Sequence, residues 1–283
     1  MEATEDEPGV GRRAAWIGAA LAVAVFWLLA TGGRPLALFT QGPFTSDFYD
    51  AQARALIHGH LDVPADVAGI EGFVVGGKTY LYYGLVPALA RVPVVAVTDA
   101  LDGRLVVLSQ LGAVAVASLA SARLLRRASA ALLVRVPPWV VGAFAFGAGA
   151  ATPLLWLGSR PLVYHEAELW GAALALLAFD RVVLWWGSRT PVDLAWASAA
   201  ATLAASTRGS SGFGPAVALG VLALVLAARR SWRLAAWVAA AAAVPVALYA
   251  AVNFARFGQP LSIPFPRQVF TQLSASRQAT LAA

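Results

Sequence analysis

Seven runs of predominantly apolar residues, each close to the length of a membrane span, limit what this chain can fold into. A helix that crosses a bilayer needs about 20 such residues, because only a helix or a closed barrel satisfies its own backbone in hydrocarbon. The runs cover 14–30, 104–122, 137–157, 162–186, 192–207, 212–228 and 233–252. Composition agrees, with 59% hydrophobic and 13% charged residues, against about one quarter charged in soluble domains. The expected fold is all-α: a polytopic membrane helical bundle of about seven transmembrane helices, with a long external first loop carrying juxtamembrane helices. The chain has no cysteine, which excludes disulfides, thiolate metal sites and a cysteine nucleophile. The formal charge is +6 and every basic residue except Lys78 is arginine. These arginines are scattered between apolar runs, so they report membrane orientation and not nucleic-acid binding.

Loop charge sets the topology. The run 14–30 follows Arg12 and Arg13, is long for a signal peptide and has no clean small-residue cleavage site, so it reads as a retained first span. An eighth apolar stretch, 80–98, contains Pro87, Arg91 and Pro93, which oppose a crossing. If it does not cross, the arginine-rich segments 123–135 and 229–233 both face the cytoplasm, as the positive-inside rule prefers. The expected organisation is a cytoplasmic tail over 1–13, a membrane module over 14–252 with an external loop at 31–103, and an external segment at 253–283. Segment 80–98 then lies along the outer interface. The setting is a plasma membrane crossed many times.

The external loop is acidic, and it opens with "TSDFYDAQARALIHG". Ser46 or Asp47 is placed to cap a short helix running to Gly59, with Asp50 in its first turn. One reading is plain capping; the other is an acid at the lipid–water boundary serving as a general base. A second constellation is "SRPLVYHEAELWG", where Tyr164, Glu168 and Gly171 share a helix face and His165 and Glu166 do not. Ionisable groups at the mouth of a span are costly and usually face a cavity. His165 and Glu166 would serve a divalent metal only as part of a larger ligand set. Arg208 precedes glycines and serines at the start of a span, where backbone N–H groups can receive an anion; snorkelling to lipid phosphate is the plainer explanation. "VGGK" at 75–78 lacks the context of a phosphate loop, and no Walker, HExxH or nucleophile-elbow motif occurs.

In order, the first span, "SDFYDAQARALIHGHLDV", "YLYYGLVPALARVPV", "DGRLVVLSQLGAVAVASL", "RPLVYHEAELWGAALALL", "STRGS" and "NFARFGQPL" resemble the GT-C class of integral-membrane glycosyltransferases. The likeness is to bacterial members akin to protein mannosyltransferases and lipid A aminoarabinose transferases. It implies inverting transfer of a sugar from a polyprenyl-phosphate donor to a lipid, glycan or protein acceptor at the outer face. An acid of the first external loop would activate the acceptor hydroxyl. The matching position is Asp47, with Asp50 the alternative. Lys78, Arg160, Arg208 or Arg256 would neutralise the donor phosphate, and His165 and Glu166 would orient substrate or help hold a metal. Base and phosphate-binding groups are expected to flank one cavity. Members of the class usually continue beyond the point where this chain ends at Ala283, so the expectation is either a short or truncated form or a remaining part that lies elsewhere. The competing expectations are a transporter or lipid flippase, against which no inverted repeat is found, and a non-catalytic membrane subunit.

Overall fold

The computed structural model describes residues 8–274. Its helices are α1 (Pro8–Ala30), α2 (Phe48–Ile57), α3 (Ala65–Ala68), α4 (Val86–Val95), α5 (Val106–Ala131), α6 (Pro138–Ala150), α7 (Pro153–Gly158), α8 (Val163–Ser188), α9 (Pro191–Thr207), α10 (Gly209–Ala228), α11 (Trp232–Phe257) and α12 (Val269–Leu273). A two-stranded antiparallel hairpin, β1 (Phe73–Val75) and β2 (Lys78–Tyr80), is the only sheet among the described residues. The fold is mostly helical, as the apolar runs require.

Among the described residues four helices are long and apolar enough to cross a membrane: Val10–Ala30, Val106–Ala131, Gly209–Ala228 and Trp232–Phe257. The other three expected spans are helical too, but each departs from a simple crossing helix. The run 137–157 is broken at Ala151–Thr152, where the Thr152 hydroxyl accepts from Leu154 N at 3.3 Å and Pro153 begins α7. Helix α8 has 26 residues but carries Glu166, Glu168, Asp180 and Arg181; α9 has 17 residues. Trp16, Ile17, Val217, Leu224 and Trp237 are each more than half exposed. Apolar faces of that extent are what lipid-facing helices present. The chain is a membrane protein by these features.

Contacts between α5 and α8 show that these two helices run side by side in the same direction. Near the start of α5, Gln110 Nε2 donates to Arg160 O, just before α8, at 3.3 Å. Near its end, Arg123 and Arg127 reach Asp180 in the second half of α8. About 13 residues separate Gln110 from Arg123, or roughly 20 Å of helix. At the α9–α10 turn a single extended residue, Arg208 (φ −151°, ψ 111°), separates the two helices.

Residues 42–103 fold over one end of this bundle. Phe48, Tyr49, Ala53, Val63, Leu81, Tyr83, Ala88 and Val95 form its core with Val163 of α8. Helix α4 has 10 residues, about 15 Å against about 30 Å of hydrocarbon, so it is too short to cross. The segment after α11 returns to the same end. There Val269 N donates to Gly72 O at 2.9 Å, Gln268 Nε2 donates to Glu71 Oε2 at 3.1 Å, and Phe73 bridges Gln268. Gly84 sits where its loop meets the end of α9: a Cβ there would lie 2.1 Å from Ser206 O, and Leu85 N donates to that same oxygen at 2.9 Å.

Candidate functional site

Helix α2 divides the loop-covered end of the bundle. One of its faces, Asp47, Ala51, Arg54, Ala55 and His58, lines an open cavity of about 910 Å³ completed by His60, Asp62 and Asp102. The capping expected of Ser46 or Asp47 does not occur. Asp47 takes αR geometry (φ −95°, ψ −2°) and makes no side-chain cap, whereas a capping residue needs β-region backbone to fold its side chain over the first turn. The Ser46 hydroxyl has no partner either. Among the described residues Asp47 has no ion-pair partner within 4 Å. Burial raises its pKa and the charge of Asp102 adds to that, while its own backbone N–H and Arg91 oppose them. Asp102 is held by Arg54 Nη2 at 2.8 and 2.9 Å, and Arg54 Nη1 also donates to Val95 O at 2.9 Å.

The inward face of α2 holds a different acid. Asp50 is 1% exposed; its Oδ1 accepts from Arg91 Nη1 at 3.0 Å and its Oδ2 accepts from Gly103 N at 2.8 Å. Arg91 Nη2 also donates to both oxygens of Glu166, at 2.9 and 2.8 Å. One buried guanidinium thus ties α2, α4 and α8 together. Asp50 lies in the first turn of α2, as expected, and its side chain also enters this network, because Tyr49, Asp50, Gln52 and Ala53 face the core. Arg91 was read only as an obstacle to crossing, and its role as the hub was missed. The available signal was an arginine flanked by prolines within an apolar segment, which has to find buried acids or water.

Across α2 lies a second cavity, of about 430 Å³, lined by residues of four places: Tyr82–Leu85, the α9–α10 turn, the end of α11, and Ile263 with Phe265 beyond it. Arg256 is its most unusual wall residue. It is 3% exposed; Nη1 donates to Tyr83 O at 2.8 Å. The Gln52 amide, turned so that its nitrogen donates to Gly84 O at 3.3 Å, accepts from Arg256 Nη2 at 2.8 Å. No carboxylate pairs with Arg256 among the described residues, and Arg256 Nε and the neighbouring Asn253 Nδ2 have no partner. Gly209 and Ser210, the first residues of the 20-residue α10, line the same cavity. The uncapped N–H groups of a helix start add partial positive charge there. Arg208, also in the wall, donates Nε to Glu168 Oε1 at 2.7 Å and stands over the Tyr82 ring at 5.8 Å. Gly171 lets α8 approach this turn: a Cβ would meet Ser211 Oγ at 2.3 Å and Arg208 Cβ at 2.9 Å.

The expected site residues therefore separate. Arg208 and Arg256 share one cavity, whereas Asp47 faces the other, so the expectation that base and phosphate-binding groups flank one cavity is not met in this conformation. Lys78 is exposed at the hairpin and pairs with Asp62 at 3.2 Å. Arg160 is exposed, with its carbonyl 3.1 Å from His165 Nδ1. His165 lies against Trp156 while Glu166 points to Arg91. Consecutive helix residues diverge by about 100°, so these two do not form a ligand pair. Among the described residues no group of three or more His, Asp or Glu side chains is arranged to hold a metal ion.

No protein-family model, no curated protein and no solved structure matches the chain.

Proposed function

We propose that this membrane protein is an inverting glycosyltransferase of the GT-C type, taking a sugar from a polyprenyl-phosphate donor. The observation that carries the reading is Arg256: a buried guanidinium with no carboxylate, in the wall of a cavity where a long helix begins. Leaving such a charge uncompensated costs several kcal/mol, and an anion entering beside it recovers that cost with charge-assisted hydrogen bonds. Tyr82, Tyr249 and Phe213 line the same cavity, and aromatic faces suit a sugar ring or a prenyl chain. The donor phosphate would lie between Arg256, Arg208 and the start of α10.

In the reaction the acceptor oxygen attacks the sugar's anomeric carbon, the bond from that carbon to the phosphate oxygen breaks, and the acceptor proton passes to Asp47. Polyprenyl phosphate departs with the electron pair. Asp47 is the acid suited to this, since Asp50 and Glu166 are committed to Arg91. Substrate binding has to join the two cavities, and α2 is the element between them. A seven-span topology goes with this reading, with 31–103 and 253–283 outside. It is supported by the contact of Gly72 and Phe73 with Gln268 and Val269, which requires an even number of crossings between the two segments. Counting α6–α7 as one crossing and α8 and α9 as one each gives six.

The separation of the cavities favours a second reading, a polytopic protein that binds or moves a lipid phosphate without transferring its sugar. Reconstituted protein given labelled polyprenyl-phosphate sugar and native membranes as acceptor distinguishes them. Sugar transfer with release of polyprenyl phosphate supports the first reading; donor binding without release supports the second. Loss of donor binding in Arg256→Gln supports the anion site under either.

A further inference from the structure

At the opposite end of the bundle, the last turns of α5 carry Arg123, Arg126 and Arg127, which with Ala130 line a pocket of about 260 Å³. Two of these arginines are oriented from behind by one acid. Asp180 of α8 is fully buried; its Oδ2 accepts from Arg123 Nη2 at 2.5 Å and its Oδ1 from Arg127 Nε at 2.6 Å. Those bonds use one N–H group of each guanidinium and leave Arg123 Nη1 and both Arg127 Nη nitrogens with no partner among the described residues. Arg126 has no side-chain partner there at all, and its Nε lies 3.9 Å from where a Cβ on Gly11 would stand, beside the start of α1. Arg12 and Arg13, the next residues of α1, are exposed. Among the described residues three positive charges meet the one buried acid Asp180 at this pocket, which makes it net positive with donors directed and unused there.

We infer that this pocket binds the phosphodiester headgroup of an anionic phospholipid. Arginine's planar fork matches two phosphate oxygens at once, and basic pockets between helices at a membrane surface are suited to acidic headgroups. Depth agrees. Arg123 to Arg127 lie 17 to 21 residues beyond Val106, roughly 26–32 Å along α5, which is the far edge of a hydrocarbon layer about 30 Å thick. Acyl chains would run along the apolar outer faces of α1 and α6, where Leu21, Trp139 and Phe144 are exposed. Asp180 acts as a positioning residue: it fixes two guanidinium groups before the lipid arrives and lowers their mutual repulsion.

The test is native mass spectrometry of the full chain, released from nanodiscs of phosphatidylcholine containing phosphatidylglycerol. Wild type is expected to retain phosphatidylglycerol over phosphatidylcholine. Arg126→Gln should weaken that retention about fivefold, the scale of one arginine at an anionic surface. Arg135→Gln, outside the pocket, should leave it unchanged, and millimolar inorganic phosphate should not displace the lipid. Equal retention of both lipids overturns the proposal, as does an unchanged Arg126→Gln. Equal weakening by Arg126→Gln and Arg135→Gln would mean general surface charge, and displacement by inorganic phosphate would mean a small-anion site. A thermal melt of Arg126→Gln matching wild type is expected, since no bond to another described residue is removed; a collapsed melt would show that Arg126 serves the fold and not a lipid.

Discussion

Replacing Arg91 by methionine isolates what the buried ion network does. The guanidinium makes four bonds: 3.4 Å to Ser46 O, 3.0 Å to Asp50, and 2.9 and 2.8 Å to Glu166. At an effective dielectric constant of about 20, each ion pair is worth roughly 4 kcal/mol of Coulomb energy, much of it offset by the desolvation of three buried charges. Removing the one cation leaves Asp50 and Glu166, 1% and 0% exposed, facing each other without compensation. The expected loss is about 3–5 kcal/mol. It should appear in SDS-induced unfolding followed by the fluorescence of the ten tryptophans. The triple variant Asp50→Asn, Arg91→Met, Glu166→Gln should regain most of this and come within about 1–2 kcal/mol of wild type, since replacing all members of a buried ionic cluster is often close to neutral. Asparagine at position 50 can still accept from Gly103 N. A single variant within about 1 kcal/mol of wild type, or a triple variant no better than the single, refutes the assignment of Arg91 as the hub joining α2, α4 and α8.

Three further outcomes are expected. Because burial and Asp102 raise the Asp47 pKa from its ordinary value, the acidic limb of the rate profile should lie above that of an ordinary aspartate; Asp102→Asn removes a negative charge that disfavours ionisation, so the limb should move to lower pH, and a shift to higher pH contradicts the argument. Gly84→Ala should destabilise the protein and distort the Arg256 cavity, because its Cβ would meet two carbonyl oxygens and a Cα of Ser206–Thr207 within 2.5 Å; a wild-type melt would show that the loop yields freely. A cysteine at Ser129 in this cysteine-free chain should be labelled only by reagents that reach the cytoplasmic side, and external labelling ends the seven-span topology.

The helical bundle was legible because hydrophobicity acts locally: six of the seven expected spans fall on one helix each and 137–157 falls on two, while the stretch 80–98 holds a helix of only 10 residues. What the chain brings together over distance was not legible. Arg91 finds acids 41 and 75 residues away, and Asp180 finds arginines 53 and 57 residues away; no local pattern encodes such pairs. The hairpin was missed although its signal was present. Gly76 and Gly77, at φ +59° and +76° between Val75 and Lys78, are the glycine pair that a tight hairpin turn favours. The acids of α2 show the same division: their presence could be read, but which of them faces a cavity and which is tied to Arg91 depends on how the helix is rotated.

The most direct test of the proposed activity is the rate of sugar transfer from a labelled polyprenyl-phosphate donor in proteoliposomes supplied with native acceptor membranes, comparing wild type with Asp47→Asn. Asparagine is nearly isosteric, and no capping bond or ion pair at this position would be lost. The account predicts unchanged insertion and melting with transfer reduced by about 10²–10⁴-fold, the contribution of a general base. Transfer by Asp47→Asn at the wild-type rate contradicts it.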